Sequence, residues 1–269
     1  MRLTVLVDNN TQVGTKFRGE PGLSYLLEVD RKKILFDTGA SDLFIHNAIA
    51  MNLDLSDIDV VVLSHGHGDH TGGLEYLLDV LGPHQTKLVM HPFAVVEKQK
   101  DGQQFGMTAP LEKLKKAFTM IPSTKPVWIS EHLVFLGEIP RRHAFENQEP
   151  LGERIEGDSL VPDNLLDDSA LAVRTEKGLF IISGCSHAGI CNIIDYAREV
   201  CHESRVTGLI GGFHVSKADE RTQKTAEFLR DNHITNLYPC HCTGFVAKAA
   251  INAIIPIGEV AVGTCLNLK

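Results

Sequence analysis

Ser64-His65-Gly66-His67-Gly68-Asp69-His70-Thr71-Gly72-Gly73 is the stretch that decides how this chain is read. Three imidazoles and one carboxylate fall between positions 65 and 70. Neutral imidazole and carboxylate are the ligands that Zn²⁺ and related borderline ions take. Gly66 and Gly68 permit tight backbone conformations that turn the flanking side chains inward. Asp69 and His70 are adjacent, so in a loop they are free to face different ions. A lone histidine is usually a solvated or hydrogen-bonded residue. This density of ligand types, directly after an apolar run, points to metal instead.

That run, Asp59-Val60-Val61-Val62-Leu63-Ser64, is apolar on both faces and predicts a buried strand. Leu74–Leu81, just after the cluster, predicts a helix. The histidines therefore occupy a loop between a strand's carboxyl end and a helix, where α/β sheets place their ligands.

Outward from this point, Leu3–Val7, Leu23–Val29 and Lys33–Phe36 read as short strands broken by Gly and Asp-Arg turns. The third closes on Asp37-Thr38-Gly39. Ser41 or Asp42 caps a helix carrying Leu43, Ile45, Ala48 and Ile49. After a strand at Lys87–Met90, residues 92–127 are less regular, with one amphipathic helix around Leu111–Phe118. Such a segment suits a lid or wall over a site, or equally a surface excursion. Strands return at Val127–Ile129 and Leu133–Leu136, and a polar stretch runs from Arg141 to Asp168. The second half then reads as strands at Ser169–Arg174, Leu179–Ser183, Val206–Ile210 and Asn236–Tyr238, with helices at Ile190–Val200, Lys217–Asp231 and Phe245–Ile254. The order predicts one α/β domain over 1–269, with two sheets packed together and helices outside.

The length of 269 residues suits that size of core, and 43% hydrophobic with 22% charged residues is ordinary for a globular protein. A net charge of −8 disfavours nonspecific binding to nucleic acid or anionic membrane. No apolar run approaches the roughly 20 residues that cross a bilayer, and the short run Leu3–Val7 stops at Asp8, so a cytoplasmic protein is expected. The six cysteines (185, 191, 201, 240, 242 and 265) then read as free thiols, mostly buried and structural.

His65-x-His67-x-Asp69-His70 followed by Gly72-Gly73 resembles the metal-binding motif of the metallo-β-lactamase superfamily, and Leu35-Phe36-Asp37-Thr38-Gly39 resembles its early strand-end motif. The resemblance implies an αββα sandwich, two mixed sheets with helices on the outside. It implies that His65 and His67 hold a first metal, and Asp69 and His70 a second. Ile182-Ser183-Gly184-Cys185-Ser186-His187-Ala188-Gly189-Ile190, Gly211-Gly212-Phe213-His214 and Pro239-Cys240-His241-Cys242-Thr243-Gly244 resemble one branch of it. That branch is named for a dihydropterin ribofuranosyl-aminobenzene phosphate synthase of methanopterin biosynthesis. His187 and His241 are then assigned to the first and second metal. Most members carry a bridging aspartate in a Gly-Asp pair, with a histidine about twenty residues earlier. Here these positions read Gly184-Cys185 and Asp167-Asp168. His187 replaces one of the missing ligands and Asp168 supplies another. The change puts Mn²⁺ or Fe²⁺ beside Zn²⁺ as the ion, one or two per chain.

The expected activity is that of a metal-dependent hydrolase, or a related transferase, turning a metal-bound water against a carbonyl or phosphoryl group. Asp69 orients the nucleophile or takes its proton. His214 is a ligand, an orienting residue or the proton donor to the leaving group. Arg141 and Arg142 form, with His143, a cationic group suited to a phosphorylated small molecule. Asp37 is expected to orient a ligand or brace the histidine loop rather than bind metal, and His91 to be structural or to line the pocket. Two other readings compete: an iron-dependent redox enzyme on the same fold, and a non-enzymatic metal-binding or sensing protein with a closed coordination sphere.

Overall fold

Alternating and continuous apolar runs lay down the strands that carry the histidine loop. The computed structural model describes residues 1–146 and 149–268. They fall into two compact units. The first comprises Met1–Thr124, Glu149–Asp167 and Ala261–Leu268. The second comprises the described residues of 125–148 together with Asp168–Val260.

The first unit holds a seven-stranded mixed sheet. Its order is Cys265–Asn267, Arg2–Val7, Ser24–Val29, Lys32–Phe36, Val60–Val62, Thr86–Met90 and Phe118–Pro122. The first three joins are antiparallel and the last three parallel. Val60–Val62 lies within the parallel part and is buried along its whole length, as its β-branched run predicts. Leu35, Val61, Leu63, Leu88 and Met90 share one core with Phe44 and Ala48 of the helix Leu43–Ala50. Truncating such a leucine to alanine typically costs ~2–5 kcal/mol. Ser41, one of the two expected caps, supplies the oxygen that accepts the Leu43 N–H at 3.1 Å. The helix expected at Leu74–Leu81 is regular only over Leu74–Leu77, and the remainder is turn.

A small antiparallel sheet also belongs to this unit, in the order Ser159–Pro162, Glu153–Glu156, Lys98–Lys100, Gln103–Gln104. It organises much of two stretches that read as irregular in the sequence. Its strands are short and rich in charge, and the join of Gln99 to Glu153 is long-range, so no local apolar pattern announces it. The expected helix between these segments is present at Leu111–Ala117. The strand Cys265–Asn267, paired to Arg2–Thr4, was likewise not anticipated.

The second unit holds a six-stranded mixed sheet in the order Asn236–Pro239, Val206–Gly211, Gly178–Ser183, Ala170–Thr175, Leu133–Phe135, Val127–Trp128. The first three strands are mutually parallel and the others antiparallel. Helices Ile190–Cys201, Glu220–Asp231 and Phe245–Ile254 bury Ile193, Ala197, Leu229 and Ile251 in one core with Ile181 and Leu209. The Glu146 carboxylate accepts the backbone N–H groups of Cys191 and Asn192, both at 2.9 Å, and so satisfies orphan donors of the first helix's opening turn. Asp219 caps the second helix through Thr222 N at 3.0 Å, which starts it at Glu220 rather than at Lys217. The fold class is α/β with mixed sheets and helices, as expected. No helix of the described residues is long and apolar enough to cross a membrane.

Candidate metal centre

The strand Val60–Val62 delivers the chain to Ser64, and two neighbours then hold the loop in place. Asp37 follows the adjacent parallel strand Lys32–Phe36, at φ 57°, a conformation that costs a non-glycine residue energy. Its carboxylate accepts Ser64 N at 2.7 Å, Ser64 Oγ at 2.6 Å and His70 Nδ1 at 2.7 Å. Asp37 therefore braces the loop, as read from the sequence. Gly66 passes so close to Ala94 that a Cβ there would lie 2.4 Å from the Ala94 carbonyl oxygen. Gly68 N donates to Phe105 O at 2.7 Å, and the Phe105 ring stands 4.7 Å from that of His67.

These contacts fix the imidazole tautomers. His70 Nδ1 faces a carboxylate, so it carries the proton and Nε2 carries the lone pair. The Ser64 hydroxyl spends its proton on Asp37, so it accepts from His65 Nδ1 at 2.9 Å. His65 is thus also the Nδ1–H tautomer with its lone pair at Nε2. Carboxylate-backed histidines of this kind are the usual outer support of metal ligands. The His65 ring lies 4.5 Å from that of His67 and 4.2 Å from that of His70. His70 Nε2 stands 3.7 Å from Asp69 Oδ2. The four residues singled out in the sequence are therefore gathered within the first unit.

A buried charge pair holds the loop from the other side. Asp167 Oδ2 accepts Gly66 N at 2.8 Å, while Lys98 Nζ donates to Asp167 Oδ1 at 2.9 Å and to Asp163 Oδ2 at 2.6 Å. Burial pushes the Asp167 carboxyl up, but Lys98, together with His67 and the Gly66 N–H, holds it below the usual range. Burial lowers the pKa of His67 to about 3, with Lys98 and His70 adding to the effect and Asp167 and Asp69 opposing it. His67 is neutral, the form that binds metal. Sequence reading missed Lys98, Asp163 and Asp167. Lys98 gave no local signal, because it lies in the polar run Glu97-Lys98-Gln99-Lys100-Asp101.

His67 also lines a cleft of about 480 Å³ with Lys100, Asp101, Gln103, Gln104, Phe105 and Leu151. Lys100 to Phe105, within the stretch 92–127, contribute most of this lining.

In the second unit, three loops leave the carboxyl ends of the parallel strands. Asp168 Oδ2 accepts Ala188 N at 2.9 Å and so braces the loop that carries His187. The rings of His187 and His214 lie 4.2 Å apart. Ser186 Oγ donates to Gly212 O at 2.7 Å, and Phe213 N to Thr243 Oγ1 at 2.9 Å, tying the three loops together. Ser186, His214 and His241 all have positive φ, at 56°, 48° and 49°. Cys185 and Cys242, read as structural thiols, stand beside these histidines. Burial pushes the Cys242 thiol up, but contacts from Cys185 and His214 and the proximity of His241 hold it well below the usual thiol range.

The remaining candidates are dispersed. His91 is buried and its Nδ1 accepts Phe93 N at 3.1 Å, capping the short helix Pro92–Val95, which is a structural role. Arg142 pairs with Glu199 at the surface, and His143 with Asp195.

The donors fit a divalent ion of the zinc group. Two rings of the first unit are fixed with lone pairs at Nε2, a third is neutral, and a carboxylate stands beside them. Comparison with known proteins agrees with this chemistry. The description of the metallo-beta-lactamase superfamily matches residues 17–198. A relative from Methanocaldococcus jannaschii, named 7,8-dihydropterin-6-methyl-4-(beta-D-ribofuranosyl)-aminobenzene-5'-phosphate synthase, is 31% identical over 263 residues, covering 92% of this chain and 89% of its own. A second protein of that organism, MJ0448, is 30% identical over 257 residues, covering 94% of each chain. The crystal structure of Tm1679, described as a metal-dependent hydrolase of the beta-lactamase superfamily, superposes with a TM-score of 0.85 at 29% identity, over 99% of this chain and 98% of that one. Sequence motif, strand order and relatives converge, and the chain belongs to the metallo-beta-lactamase superfamily.

Proposed function

We propose that this protein is a metal-dependent hydrolase, or a related transferase, acting on a small phosphorylated molecule. The observation that carries the reading is the Asp37–Ser64 relay, which sets both His65 and His70 with their lone pairs at Nε2. One or two divalent ions are held by His65, His67, Asp69 and His70, and the family motif implies His187, His241 and Asp168 as further ligands. Zinc is the first choice, manganese or iron the alternatives. When bound, such an ion acidifies water and acts as a Lewis acid toward a carbonyl or phosphoryl oxygen.

The chain's own groups supply the rest. Asp69, half-exposed beside His70, is placed to orient a nucleophile or accept its proton. Lys98 and Asp167 hold Gly66 and with it the spacing of His65 and His67. The cleft beside His67 offers Lys100 for an anion, Gln103 and Gln104 as amides, and Phe105 as an apolar face. That combination suits a phosphate ester with a ring. The name of the M. jannaschii relative describes a product with a dihydropterin ring, a ribofuranosyl group and a 5'-phosphate, which supports the same substrate class. Arg141 and Arg142 are the further phosphate contacts. Arg142 engages one by exchanging its exposed partner Glu199, a pair cheap to displace.

The test is metal analysis of protein purified without added ions, followed by assay on generic phosphoesters and carboxylic esters. Turnover that disappears in His67→Ala, with the fold retained by circular dichroism, is expected. Iron with a redox-active spectrum would favour the redox reading. A fully ligated ion with no turnover on any ester would favour the non-enzymatic one.

A further inference from the structure

Cys185, His214 and Cys242 sit on the three loops that follow the parallel strands Gly178–Ser183, Val206–Gly211 and Asn236–Pro239. One ligand atom from each, two sulfurs and an imidazole nitrogen, all lie within 4.8 Å of one another. Zinc bonds of about 2.0–2.3 Å place tetrahedral donors roughly 3.5–3.8 Å apart, so donors within 4.8 Å of one another need to close by about 1.3 Å at most.

The surroundings are built for this meeting. A Cβ at Gly212 would lie 2.3 Å from Cys242 Sγ and 2.8 Å from Gly184 O, so only glycine lets the loops approach this closely. Cys242 Sγ lies 3.6 Å from Cys185 O. His214 holds a positive φ of 48°. Its Nδ1 is buried and makes no hydrogen bond among the described residues, a cost that a ligand offsets. By contrast, Cys191 and Cys201 are buried in the hydrophobic core, where a thiol acts as a small apolar group.

We propose that Cys185, His214 and Cys242 form a thiolate-rich metal site within the second unit that takes a thiophilic divalent ion such as Zn²⁺. This goes beyond the proposed function, whose ligand set names no cysteine, although the Cys185 sulfur also stands within reach of His187 and of His241. Binding makes two metal–sulfur bonds and one metal–nitrogen bond. Two thiol protons leave to solvent, and the imidazole contributes its lone pair without losing a proton. Sulfur donors select zinc, cobalt or cadmium over magnesium and calcium.

The test is a titration of reduced, metal-stripped full-length protein with Co²⁺, read by sulfur-to-cobalt charge-transfer absorption in the near ultraviolet. The wild type is expected to show the band. Cys185→Ser or Cys242→Ser should each reduce it by about half, because one of two sulfurs is gone. The double variant should abolish it, and His67→Ala should retain it even where activity is lost. A second reading guards against misfolded variants. In the wild type, Zn²⁺ should slow alkylation of Cys242 while exposed Cys265 reacts unchanged. Cobalt binding without the band, a band surviving in the double variant, its loss in His67→Ala, or unprotected Cys242 would each overturn the proposal. None of those outcomes bears on ester turnover, so the two readings fail separately.

Discussion

Asp167 Oδ2 accepts the backbone N–H of Gly66 at 2.8 Å, although 101 positions separate them. The glycine between the first two histidines is thereby anchored to a carboxylate, and the carboxylate to Lys98. Replacing Lys98 by methionine leaves Asp163 and Asp167 buried without their cation. Removing one partner of a buried pair costs ~3–5 kcal/mol. Lys98→Met should lower the urea midpoint accordingly with an unchanged m-value, and an unshifted midpoint would show that the pair contributes nothing net.

Asp37→Asn tests the relay behind the histidines. Asparagine tolerates the left-handed backbone at this position and its oxygen keeps the Ser64 N–H, so the fold should persist. Its amide nitrogen cannot accept from His70 Nδ1. Loss of such outer support typically weakens metal binding ~10–100-fold. Competition with a chromophoric chelator measures it, and wild-type affinity in the variant would refute the role given to Asp37.

Gly66→Ala puts a methyl group against backbone that cannot rotate away, 2.4 Å from Ala94 O and 2.9 Å from Ala94 C. Overpacking of this kind costs ~1–3 kcal/mol. The thermal midpoint should fall, and bound metal should fall with it as His65 and His67 separate. Full metal content with wild-type melting would mean that the loop has slack the structure does not show.

Glu146 gives the second unit a pH dependence. Burial pushes its carboxyl above 4.5, the ordinary value, although the N–H groups of Cys191 and Asn192 pull the other way. The native state thus binds this proton more tightly than the unfolded chain does. The stabilisation is fully present below the unfolded pKa and is lost as pH rises through the native one. Glu146→Gln should flatten stability across that window, while costing about 1 kcal/mol or more throughout because one N–H loses its acceptor. Urea melts at several pH values decide the point. An unchanged slope in the variant would remove Glu146 as the cause.

The histidine cluster was legible because its ligands are neighbours in the chain and follow a strand whose Val60-Val61-Val62 core speaks for burial on both faces. The helices of the second half were legible from their apolar period, with the error at Lys217 arising because Asp219, not the first periodic residue, is the cap. The small sheet around Lys98 and Glu153 was not, since its strands carry charge and find partners some fifty positions away. Lys98 reads as a surface residue until Asp163 and Asp167 are seen beside it. Of the two adjacent aspartates only Asp168 reads as a ligand in the sequence, yet in the structure Asp167 supports Gly66 and Asp168 supports Ala188. The meeting of Cys185 with Cys242, which spans 57 positions, is a product of strand order that neither residue's surroundings announce.

Asp37, Ser186, His214 and His241 all occupy the left-handed region, a conformation that costs side-chain-bearing residues ~1–3 kcal/mol each. Glycine or asparagine would relieve much of that burden at every one of them. A laboratory selection for heat tolerance alone would therefore drift toward those replacements, and at His214 and His241 it would hand the scaffold its hardness by removing the two imidazoles proposed above as ligands.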